Sequence, residues 1–148
     1  MNRATSHLRG LAERLVAYET RANKSGPAFS RGEFPICEKL RPDLVTLVGR
    51  AGYHALISRA LALAGAEAAW LRIVQVKTDG TLEGPENLMP GDPKQVLEGC
   101  VVLVAQLLGL LVAFIGENLT LRLVREVWPK IPLNGLDFGS GGKNEKNK

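Results

Sequence analysis

The chain has 148 residues, of which 45 % are hydrophobic and 23 % charged. That is enough for one domain able to bury a core without disulfide or metal staples. Its net charge of +4 is too mild and too dispersed to mark a nucleic-acid or anionic-lipid binder. Two cysteines and two histidines without close spacing exclude a structural zinc site, so no metal and no cofactor is expected. Cys37 and Cys100, far apart in unlike contexts, read as a reduced, buried pair.

The amino-terminal stretch MNRATSHLRGLAERLVAYE carries charges throughout and lacks the apolar core of a secretory signal, which makes the cytoplasm the expected compartment. Leu8, Leu11, Leu15, Tyr18 and Ala22 recur at spacings of three and four, predicting an amphipathic helix over Ala4 to Asn23 with Arg9, Glu13 and Arg14 facing away. Gly26, Pro27, Gly32 and Pro35 then interrupt the periodicity and predict a loop.

A second helix is expected from Ile36 or Pro42 through Ala69, with Gly49 and Gly52 weakening its middle. Plotted from Pro42 as one helix, it gathers Leu44, Val48, Ala51, Ala55, Ala62 and Ala66 on one stripe. Asp43, Arg50, His54 and Ser58 fall on another side, as a candidate polar surface site for an anion or a partner carboxylate. Ile73, Val74 and Val76 favour extended structure before the Asp79-Gly80 turn, predicting a short hairpin near 73–82. The prolines and glycines of GPENLMPGDP predict a second loop, and Asp92 then caps a helix with Pro93 at its first position.

That helix runs into CVVLVAQLLGLLVAFIG, the 17 residues from Cys100 to Gly116, whose one strongly polar side chain is Gln106. Seventeen helical residues rise about 25 Å, between the length of a buried core helix and the ~30 Å of a hydrocarbon layer. A core helix and a membrane span over 99–119 both fit. At 100° per residue the run divides into a bulky side and a side holding Gly99, Ala105, Gln106, Gly109, Ala113, Gly116 and Glu117. Ala105, Gly109 and Ala113, spaced by four, leave a smooth stripe that a second helix can approach closely. The stripe it is expected to meet is that of Ala51, Ala55 and Ala62. In that arrangement Arg59 would pair across the contact with Glu98 or Glu117. Helical spacing continues beyond Gly116 through Leu119, Leu123 and Val127 to Trp128, where Pro129 stops it. The last ten residues, 139–148, form a Gly/Asn/Lys tail expected to be disordered.

The eleven residues Ala51-Gly52-Tyr53-His54-Ala55-Leu56-Ile57-Ser58-Arg59-Ala60-Leu61 resemble the turn and recognition-helix start of LacI-type helix-turn-helix repressors. The resemblance implies contact with DNA. The chain departs from that family's pattern by one residue fewer between the glycine and the Ser-Arg pair, which rotates every later side chain by about 100°. It also places apolar Val45, Leu47 and Val48 where the family has a short polar helix near its amino terminus.

No nucleophile elbow, phosphate loop or metal-ligand spacing is present in the sequence, and no catalytic residue is assigned. The fold expected is an all-α bundle of four to five helices around the apolar helix, over 1–138, with the tail after it. The function expected is a non-enzymatic protein-interaction or regulatory module working through a helix face, with a protein partner or a second copy. A membrane-anchored protein and a weak nucleic-acid binder are the alternatives.

Overall fold

The computed structural model describes residues 3–22, 35–84 and 92–131. Among them are four α-helices: α1 (Arg3–Ala22), α2 (Pro35–Glu67), α3 (Pro93–Ile115) and α4 (Glu117–Val127). A 3-10 turn, Ala69–Ile73, and the antiparallel strands β1 (Gln75–Val76) and β2 (Leu82–Glu83) complete them. The protein is an all-α bundle with a small hairpin. The first expected loop lies, except for Pro35 and Ile36, outside the described residues, as do residues 85–91 of the second loop and the whole 139–148 tail.

Helix α1 buries Leu8, Leu11, Ala12, Leu15 and Val16 along one face and leaves Glu13 and Arg14 in solvent. Helix α3 is the centre, with α1 and α2 packed extensively on it. Asp92 accepts the Lys94 amide at 3.0 Å and so satisfies one of the free donors at the helix start, beside a proline that has no donor to satisfy. Every residue from Gly99 to Ala105 is buried, as are Leu107, Leu108 and Leu111. Each fully buried leucine contributes roughly 1.5–3 kcal/mol of transfer free energy, so this helix dominates the core.

Two glycines break what the sequence pattern reads as continuous helix. Gly49 (φ 83, ψ 168) divides α2, and Gly116 (φ 92, ψ 157) separates α3 from α4. After Gly49 the buried side of α2 is set by Tyr53, Ile57, Ala60, Leu61 and Ala64. After Gly116 the chain re-enters helix at once, with Thr120 donating both its amide (3.1 Å) and its hydroxyl (2.8 Å) to the Gly116 carbonyl. Thr120, Leu123 and Val124 then face the core.

The hairpin pairs Gln75 with Glu83 and Val76 with Leu82. Asp79 accepts the Thr81 amide at 2.9 Å, and Gly80 (φ 88) lies so close to Tyr53 that a Cβ there would stand 2.7 Å from the ring. Tyr53 donates its hydroxyl to the Cys37 carbonyl at 3.4 Å. The far end of the bundle is joined by Glu19, only 6 % exposed. Its Oε2 accepts from Lys39 Nζ of α2 at 2.5 Å and from the indole of Trp128, just past α4, at 2.8 Å.

Candidate functional site

The structure does not bring the two small-residue stripes together. Ala51, Ala55 and Ala62 are exposed, and so is Ala113; Ala105 is buried and Gly109 half-buried. The helix that approaches Gly109 is α1, whose Leu8 methyl stands 3.7 Å from where a Cβ would be. A stripe plotted along α2 as one continuous helix takes Gly49 as helical, which it is not. Its positive φ redirects the chain, and beyond it the large side chains of Tyr53 and Ile57 take the core side because they have far more apolar area to bury. Arg59 is exposed, and Glu98 receives the guanidinium of Arg9 rather than that of Arg59. Glu117 opens α4, half-buried, past the break at Gly116.

The polar set Asp43, Arg50, His54 and Ser58 is likewise divided by Gly49. His54 Nδ1 and Ser58 Oγ are 3.5 Å apart, both half-buried. Arg50 belongs to a different group: with Arg41, Pro42, Val45, Thr78 and Asp79 it lines an open cleft of about 610 Å³ between α2 and the hairpin turn. The Thr81 hydrogen bonds, helped by Arg41 and Lys77, hold the Asp79 carboxyl below its ordinary range. Arg41 is tied to Glu38 at 2.8 Å. Among the described residues no group of three or more His, Cys, Asp or Glu is placed to hold a metal ion. Cys37 and Cys100 are free and buried; burial pushes the Cys37 thiol up to about 12, with Glu38 adding to the effect. Burial also raises the Cys100 thiol, and the neighbouring Cys37 raises it further.

The surface that stands out lies on α3. Gln106, Leu110, Ala113 and Phe114 share one face of the helix, opposite the buried Leu108. Going toward the carboxyl end that face emerges from the bundle: Gln106 and Leu110 are half-buried, Ala113 is exposed and Phe114 is 65 % exposed. The span Lys94–Ile115 is long and apolar enough to cross a membrane, and 61 % of its most apolar window is buried inside the fold.

At the other end of the same helix is a cleft of about 570 Å³. Its walls are Glu67, Ala68, Ala69 and Trp70, where α2 passes into the 3-10 turn, and Lys94, Gln95 and Glu98 of α3. Trp70 donates its indole N–H to the Gln95 carbonyl at 3.2 Å, and its ring lies on Gly99, where a Cβ would come within 2.3 Å of it. Arg72 Nε donates to the Gly65 carbonyl at 3.1 Å and holds the turn that carries Trp70. Glu67 Oε2 accepts the Gln106 side-chain amide at 3.1 Å. Glu67 therefore belongs both to the cleft and to the emerging face. Trp70 and Glu67 carry no distinguishing signal in the sequence; the one local signal is Gly99, a smooth position early in an otherwise bulky helix.

No protein-family model, curated protein or solved structure matches the chain.

Proposed function

We propose that the protein is a non-enzymatic protein-interaction module that docks a partner on the carboxyl-terminal half of α3. The observation that carries this reading is Phe114, an aromatic residue 65 % exposed on a helix whose preceding turns are closed in the core. Phenylalanine is among the residues enriched at interfaces, and the half-buried Leu110 one turn away extends its apolar surface. A cytoplasmic location accords with this reading. The 61 % burial of the apolar window supports a core helix over a lone membrane span.

The test is the native size of the protein in a detergent-free extract. The wild-type chain should run in an assembly well above its 16.0 kDa mass, and Phe114→Glu should shift it to the monomer position. A wild-type protein that runs as a monomer would end this reading. One that sediments with membranes and needs detergent for release would replace it with the anchor.

A further inference from the structure

We draw no further inference here: the strongest candidate, the Trp70 cleft between the end of α2 and the start of α3, carries nothing because its charges are offset, Glu67 by Lys94 and Glu98 by Arg9, and nothing in the structure shows what covers it.

Discussion

At Gly99 two effects oppose: alanine raises helix propensity by about 1 kcal/mol, but its methyl would stand 2.3 Å from the rigid Trp70 ring. The ring must move, and overpacking of this kind costs roughly 1–3 kcal/mol, so Gly99→Ala should lower the urea midpoint. It should also red-shift Trp70 emission; an unchanged midpoint and spectrum would mean that the ring is not seated there. Cys37 gives a pH dependence with a definite sign. Its folded thiol is pushed up to about 12 from an ordinary 9.0. A raised folded value means that its contribution is complete below the ordinary value and is lost as pH rises toward 12. Between about pH 8.5 and 10 the protein should lose about 1 kcal/mol through this thiol. Urea titrations across that range should show a shallower decline for Cys37→Ala than for the wild type. The buried Cys100 adds to the decline in both proteins.

Element boundaries depend on two glycines that behave alike. Gly49 and Gly116 occupy φ and ψ values open essentially to glycine, and a Cβ on either would meet nothing within 4 Å. The cost of alanine there is therefore backbone strain alone, roughly 1–3 kcal/mol. Gly10, within α1 and equally free of neighbours, has no such strain, and alanine there should stabilise by about 0.5–1 kcal/mol. Unfolding midpoints that fall for Gly49→Ala and Gly116→Ala and rise for Gly10→Ala are the expected result. A neutral Gly49→Ala would show that α2 can straighten. The same two positions mark where the sequence pattern ceased to be legible. Helix α1, the Asp92-Pro93 start of α3 and the Asp79-Gly80 turn are readable because each rests on local chemistry: periodicity, a cap, or turn residues. The facing of helices is not, because the 100° rule does not hold across Gly49 and because alanine methyls have too little area to decide which side is buried. By periodicity Phe114 falls with the other bulky residues of α3. Its exposure depends on where α1 and α2 stop covering that helix, which is a tertiary matter.

At the scale of the molecule, the question is what ties the first helix to the last described turn. The Arg9–Glu98 pair joins α1 to α3, but its side chains are 36 % and 59 % exposed, and pairs of that kind contribute at most about 1 kcal/mol. Glu19 differs because it is buried and serves two elements, Lys39 of α2 and the indole of Trp128. Removing the carboxylate leaves the Trp128 N–H buried without its acceptor, at roughly 1–3 kcal/mol, whereas Lys39, with its side chain 46 % exposed, can turn to water. Glu19→Ala should therefore cost about 3 kcal/mol once lost packing is included. Glu19→Gln, which keeps an acceptor for the indole, should cost about 1 kcal/mol. If the indole contact is the main contribution, its effect will vanish when the donor is absent. In a Trp128→Phe background Glu19→Ala should be milder by about 1–2 kcal/mol, a coupling measurable by a double-mutant cycle in urea. Additive costs would assign the stabilisation to Lys39 instead, and the turn after α4 would then be held by apolar packing of Trp128 and Ile131 rather than by the indole hydrogen bond.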